Sequence, residues 1–348
     1  MNRIRVLIVD DSAFMRRVVR EMLESDPAIE VIGTAKDGRE GVDMVLEYSP
    51  DVVTMDIEMP RMNGLEAIEV IMERSPRPIL VLSSITTEGA KVTLDALDKG
   101  AADYVTKTIS RSVIDIIKVK TELVEKVKAV ARRGRMLVRP RSVKHSPVHI
   151  PRPTSGSRKA DIVVIGASTG GPKALQEILP RIPGGMTTTF VVAVHMPMAF
   201  TKAFAERMDA LCALKVKEAE GGEALKSGHI FITPGGMQTR IRRRSAGVFG
   251  VEISDEPKDV LYKPCIDITM TSAAEAFLSR TVGVILTGMG CDGMNGMRVI
   301  KQKGGTTIAQ SEDTCTVYGM PKAVVDAALA DKVVSLDEMA EEIVKVAC

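Results

Sequence analysis

Short runs of branched apolar residues alternate with helical patterns along this chain. IRVLIVD, EVIGTA, PDVVTMD, RPILVLSS and ADYVTK are brief, rich in Val, Ile and Leu, and flanked by turn residues, which predicts buried strands. Between the first two, SAFMRRVVREMLES predicts a helix with Phe14, Val18 and Met22 on one face, flanked by Met15, Val19 and Leu23. Five such alternations in the first 130 residues predict a parallel sheet covered on both faces. The pattern resumes after residue 160. DIVVIGA, TTFVVAVH, VGVILTG, TTIAQ and KVVSL predict strands, with GPKALQEILPRI and TKAFAERMDALC as helices among them. Residues 229–254 break the alternation. HIFITP and the stretches around RIRRR and GVFGVEI predict short antiparallel strands, an inserted hairpin or small sheet. The expected fold class is α/β, with two doubly wound parallel-sheet domains.

Charge divides the chain at the same places. The net charge of +2 resolves into −5 over residues 1–130, +9 over 131–159 and −2 over 160–348. The middle segment holds nine basic and no acidic residues, together with four Pro, two Gly and four Ser, and has no hydrophobic period. It predicts a linker between domains at 1–130 and 160–348. A solvated spacer is favoured there over a nucleic-acid arm or an anionic docking strip. Composition adds exclusions. Hydrophobic residues at 45% and charged residues at 26% of 348 fit an ordinary soluble protein. With no Trp and 3% aromatics, stacked platforms for single-stranded nucleic acid are not expected. Five Cys without a CxxC argue against a disulfide framework or zinc site and for a reducing compartment. No leader-like segment or apolar stretch of ~18 residues stands out, so the expected location is cytoplasmic.

In a parallel sheet, ligands sit beyond the carboxyl ends of the strands. In the first domain those ends carry Asp10 and Asp11, Asp56, Ser83 and Lys107. Three carboxylates at one edge repel one another and call for a cation, and oxygen-only ligands favour Mg²⁺. A lysine and a hydroxyl beside them suit phosphoryl oxygens, and one carboxylate can serve as nucleophile to form an acyl phosphate. Taken singly, Asp10 and Asp11 read more readily as helix N-terminal acids and Asp56 as a loop residue. Five such residues, each at a strand terminus, favour the phosphoryl site.

Three strand ends in the second domain also carry chemistry. The first runs into G166-A-S-T-G-G171 with Pro172 opening a helix, so Ser168 lies on a sharp Gly-flanked turn. The second ends in His195, and the third in TGMGCDG, with Asp292 just past a Gly-rich turn. A serine hydroxyl needs an imidazole to remove its proton, and the imidazole needs a carboxylate to fix its tautomer. Backbone N–H groups near Thr169 and Met289 could bind an oxyanion, an effect worth ~3–4 kcal/mol per donor. Of the four His, two lie in the linker, and His229 reads as a structural strand-edge residue. For Asp292 an N-cap role on the following helix is a plain alternative compatible with catalysis.

The first half, through VDDS at 9–12, MD at 55–56, MPRMNG at 59–64, Ser83 and YVTK at 104–107, resembles the receiver domain of two-component response regulators. The second half, through IGASTGGP, AVHMP, TPGG, ILTGMGCDGMNGM, AQSEDTC and YGMP, resembles the catalytic domain of bacterial chemotaxis protein-glutamate methylesterases. The resemblance implies a flavodoxin-like receiver followed by a Rossmann-like esterase domain with a β-hairpin insertion. It implies phosphorylation of Asp56 by a chemotaxis histidine kinase, with Mg²⁺ held by Asp10, Asp11, Asp56 and the Glu58 carbonyl. Ser83 and Tyr104 match the hydroxyl and aromatic that move together on switching, and Lys107 of YVTK belongs with them to the switch. Ser168, His195 and Asp292 fall on the family's triad and the Met289 amide on its oxyanion hole. The implied activity is hydrolysis of glutamate methyl esters on methyl-accepting chemoreceptors without a cofactor for that step, and the family also deamidates receptor glutamines. Membrane association is then expected only through the receptors. Control is expected from an unphosphorylated receiver lying over the strand ends that bear Ser168. Two rival readings are a DNA-binding output, which the missing helix-turn-helix pattern disfavours, and a non-catalytic adaptor, which the complete triad disfavours.

Overall fold

The computed structural model describes residues 3–107, 113–136 and 160–348. The chain divides into two compact units, 1–145 and 146–348. The first alternates β1 (Ile4–Val9), α1 (Ala13–Glu24), β2 (Ile29–Ala35), α2 (Gly38–Tyr48), β3 (Val52–Asp56), α3 (Gly64–Arg74), β4 (Ile79–Ser83), α4 (Thr87–Asp98), β5 (Asp103–Thr106) and α5 (Val113–Met136). All five strands are parallel, in the order β2-β1-β3-β4-β5. The order reverses between β1 and β3, so their carboxyl ends flank the crevice where an α/β sheet binds ligand. Val6, Ile8, Val52, Leu80 and Val105 bring these strands together in one buried cluster with Val19, Leu23 and Val127 from the helices.

Two expectations shift here. In α1 the buried residues are Val19 and Leu23, while Phe14 is 65% exposed, so the inward stripe runs through Met15, Val19 and Leu23. Helix α5 continues through Met136, past the linker boundary expected at 131. The basic residues there extend a helix, because Arg and Lys are good helix formers whatever their charge density. The rest of the basic segment, 137–159, lies outside the described residues.

The second unit comprises β6 (Ile162–Ala167), α6 (Gly171–Ile178), β7 (Thr189–Val194), α7 (Met198–Leu211), β8 (Lys215–Glu218), β9 (His229–Ile232), β10 (Gln238–Ser245), β11 (Val248–Ser254), α8 (Ile266–Phe277), β12 (Thr281–Ile285), α9 (Met294–Gln302), β13 (Thr306–Gln310), α10 (Met320–Asp326), β14 (Lys332–Val334) and α11 (Leu336–Ala347). Seven strands form one parallel sheet ordered β14-β13-β12-β6-β7-β9-β8. Only β10 and β11 form the antiparallel hairpin. HIFI is thus a strand of the main sheet and not of the insertion. Ile230, Phe231 and Ile232 are all fully buried, which requires cover on both faces. The basic run on β10 is partly paired across the hairpin, Arg242 Nε lying 3.1 Å from Glu252. Among the described residues, no helix is long and apolar enough to cross a membrane.

Candidate active site

Ser168, His195 and Asp292 leave the carboxyl ends of β6, β7 and β12, three adjacent strands. Parallel pairing brings those ends to one edge, and the side chains meet there. The Ser168 hydroxyl lies 3.0 Å from His195 Nδ1, and His195 Nε2 lies 2.9 Å from Asp292 Oδ2. A carboxylate only accepts, so Nε2 carries the ring proton and donates it, leaving Nδ1 free to accept from the serine. The ring nitrogens are exchanged relative to the chymotrypsin arrangement, with the same order of serine, imidazole and carboxylate. His195 and Asp292 side chains are 10% and 6% exposed, so their mutual attraction is little screened by water.

Asp292 does not cap the helix that follows it, since Gly293 is the N-cap of α9. It accepts instead from the first turn of α8: Ile266 N–H at 2.8 Å and Asp267 N–H at 3.0 Å, with the Cys265 thiol at 3.3 Å. Burial alone would raise this carboxyl. The His195 hydrogen bond and the two backbone N–H groups outweigh it and hold the group below the usual carboxylate range. Burial and the adjacent Asp292 push the Cys265 thiol up to about 12, so it stays protonated as a donor.

The loops around Ser168 fit because glycine leaves room. A Cβ on Gly288 would lie 2.9 Å from the Ser168 Cβ and 2.3 Å from Met320 Sδ. Thr287 ties the two loops: its hydroxyl donates to the Thr169 carbonyl at 2.9 Å and accepts from Val317 N–H at 2.9 Å. Its own N–H donates to the buried Gln310 side chain at 2.7 Å. The backbone N–H groups of Thr169 and Met289 donate to no acceptor among the described residues. His229, expected at the edge of an insertion strand, instead opens β9 between β7 and β8 and bonds the Ser227 carbonyl at 3.1 Å.

Sequence reasoning missed Tyr262, Gln238, Cys265, Thr287 and Gln310. Tyr262 stacks on His195. Thr287 and Gln310 stand within the runs TGMGCDG and AQSEDTC without being singled out there, whereas Tyr262, Gln238 and Cys265 lie where no local pattern marks them.

The first unit holds a second site. One oxygen from each of Asp10, Asp11 and Asp56 falls within 4.8 Å of the others. Lys107 Nζ reaches Asp10 at 2.8 Å and Asp56 at 2.7 Å. Asp11, Asp56, Glu58, Ser83 and Lys107 line a cavity of ≈ 230 Å³. Burial raises the Asp56 carboxyl, and the neighbouring Asp10 adds to this against the opposing pull of Lys107. Burial works against charge on Lys107 too, but the two carboxylates raise it, so the ammonium persists. Two acids sharing one cation leave a deficit of positive charge, which fits a site for a divalent ion. The Ser83 hydroxyl sits 2.5 Å from Thr93 Oγ1. Tyr104 is buried, with Lys126 Nζ 5.1 Å from its ring centroid, and is not among the cavity's lining residues. Gly64 explains part of the MPRMNG run: a Cβ there would lie 2.1 Å from the Asp56 carbonyl, so only glycine lets α3 begin against the strand end. Asn63 caps that helix in a reciprocal pair with Glu66.

Comparison with known proteins matches residues 163–343 to the CheB methylesterase family and residues 6–117 to the response regulator receiver domain. A protein-glutamate methylesterase/protein-glutamine glutaminase of Nitratidesulfovibrio vulgaris is 48% identical, covering 98% of this chain and 98% of its own. One of the same name from Geobacter metallireducens is 48% identical over 99% of this chain and 98% of its own. The solved catalytic domain of Thermotoga maritima CheB methylesterase is 41% identical, with a TM-score of 0.52, covering 54% of this chain and 98% of that domain.

Proposed function

The chain belongs to the CheB methylesterase family and carries an N-terminal receiver domain, and on that premise we propose that it is a phosphorylation-controlled protein-glutamate methylesterase with protein-glutamine glutaminase activity. The observation that carries this reading is His195 bridging Ser168 and Asp292 through its two nitrogens. Ser168 attacks the γ-carbonyl of a methylated glutamate while Nδ1 of His195 takes its proton. The C–O bond to the methyl group's oxygen breaks, and His195 returns the proton so that methanol leaves rather than methoxide. Water, deprotonated by the same nitrogen, attacks the acyl-serine and releases glutamate and free Ser168. With a glutamine substrate the leaving group is ammonia, and the other steps are unchanged. Asp292 holds the tautomer and offsets the imidazolium charge. The amides of Thr169 and Met289 serve the tetrahedral oxyanion. No cofactor enters this cycle.

Asp56 is the phosphoryl acceptor in the receiver. Asp10, Asp11, Asp56 and the Glu58 carbonyl would hold Mg²⁺, which supplies positive charge to the phosphoryl oxygens when bound. Lys107 and the Ser83 hydroxyl bind those oxygens, and Tyr104 completes the switch with Ser83. The phosphodonor is a chemotaxis histidine kinase and the substrates are methyl-accepting chemoreceptors, which places the enzyme in the cytoplasm, reaching the membrane only through them. Phosphorylation adds charge at the receiver's strand ends and relieves its restraint of the esterase.

Methanol release from methylated receptor membranes, with purified full-length protein, tests both parts. Release is expected, rising on addition of a small-molecule phosphodonor with Mg²⁺. That rise is expected to vanish in Asp56→Asn or on chelation, while basal release by wild type survives chelation. Absence of methanol under every condition would overturn the activity, and a rise that persists in Asp56→Asn would overturn the control.

A further inference from the structure

One short strap supports both ends of the His195–Asp292 pair. The Tyr262 ring stacks on the His195 imidazole with centroids 4.2 Å apart and planes 12° from parallel. Three residues later the Cys265 thiol donates to Asp292, and the strap enters α8. Gln238, fully buried at the start of β10, holds the strap with both ends of its amide. Its Nε2 donates to the Tyr262 carbonyl at 3.0 Å, and its Oε1 accepts from Cys265 N–H at 2.8 Å. One donor and one acceptor matched on the same strap fix its register, because a slip would leave buried polar groups unpaired.

We propose that Tyr262, clamped by Gln238, is a positioning residue that keeps His195 in line between Ser168 and Asp292 and stabilises its charged form. The two hydrogen bonds of the imidazole lie in the ring plane and resist in-plane rotation. They restrain tilt out of that plane far less, and a parallel aromatic face at van der Waals distance blocks it. When His195 takes the serine proton, the ring becomes a cation over a π-face, an attraction weaker in the resting enzyme. An interaction strengthened only as charge develops raises kcat more than it lowers KM. This inference rests on the triad reading above.

Steady-state methanol release by the full-length chain tests it. Tyr262→Leu is expected to lower kcat about tenfold, with KM changed less than about twofold. Tyr262→Phe, which keeps the ring face, is expected to restore most of kcat. Gln238→Met, near in volume but without either hydrogen bond, is expected to show the same kcat-selective loss in protein that still melts cooperatively. Wild-type kcat in Tyr262→Leu would overturn the inference. So would a loss in Tyr262→Phe as deep as in Tyr262→Leu, or an effect confined to KM, which would put Tyr262 on the substrate. Ser168→Ala, run alongside, separates the two levels. Activity in Ser168→Ala sinks the triad itself, whereas an inactive Ser168→Ala beside a fully active Tyr262→Leu sinks only the role of Tyr262.

Discussion

His195 carries one proton between two partners, and Asp292 decides which nitrogen holds it. In Asp292→Asn an amide N–H₂ facing Nε2 would favour the tautomer protonated on Nδ1, where no base is left for Ser168. A loss of about 10³–10⁴-fold in kcat is expected, as for triads generally, measurable by methanol release. The same substitution has a pH signature. The Asp292 carboxyl is depressed in the folded protein, so its stabilising contribution is present above the unfolded value of ~3.9 and is lost as pH falls through the folded value. Urea melts should therefore show the stability gap between wild type and Asp292→Asn shrinking in acid. Ser168, His195 and Asp292 were legible in the sequence because each follows an apolar run into Gly-rich or turn residues, and few histidines compete. The supports of Asp292 were not. Its donors come from α8, 25 and 26 residues earlier in the chain, and that meeting depends on packing rather than local pattern. Tyr262 acts through a ring face and Gln238 through backbone groups of another segment, and neither contact leaves a spacing signature.

Among the elements, the strand–helix alternation made both parallel sheets readable, and β9 marks the limit of that reading. Its four residues precede a hairpin, and this proximity suggested that they join it. The run Ile230, Phe231, Ile232 carried the contrary signal, since three consecutive apolar residues suit a strand covered on both faces rather than an alternating hairpin strand. Phe231→Ala is expected to cost about 3–5 kcal/mol of stability in the second unit, as a buried aromatic leaving a cavity. Because β9 pairs with β7, whose carboxyl end presents His195, activity should fall with temperature earlier than in wild type. A variant at Phe231 with unchanged denaturant midpoint would place β9 outside the core. Helix α1 failed in a smaller way: with apolar residues at Phe14, Met15, Val18, Val19, Met22 and Leu23, two adjacent stripes compete, and only packing against the sheet selects the one through Val19 and Leu23.

Over the whole molecule, the chain folds as two α/β units, and each gathers its reactive residues at the carboxyl edge of its own sheet. The carboxyl ends of β1 and β3 collect three carboxylates, joined by Lys107 after β5, whereas the adjacency of β12, β6 and β7 collects a serine, a histidine and an aspartate. Neither sheet pattern bears on control of one site by the other, so control was the least legible part of the sequence. The central assignment is Ser168 as the nucleophile of the full-length enzyme. Its most direct test is to treat the purified chain with a fluorophosphonate, follow methanol release as it declines, and locate the modification by peptide mass spectrometry. The expected result is a phosphonyl group on Ser168, accumulating in proportion to lost activity and much more slowly in Asp292→Asn. Inactivated protein with Ser168 unmodified, or full activity with Ser168 blocked, would contradict the assignment.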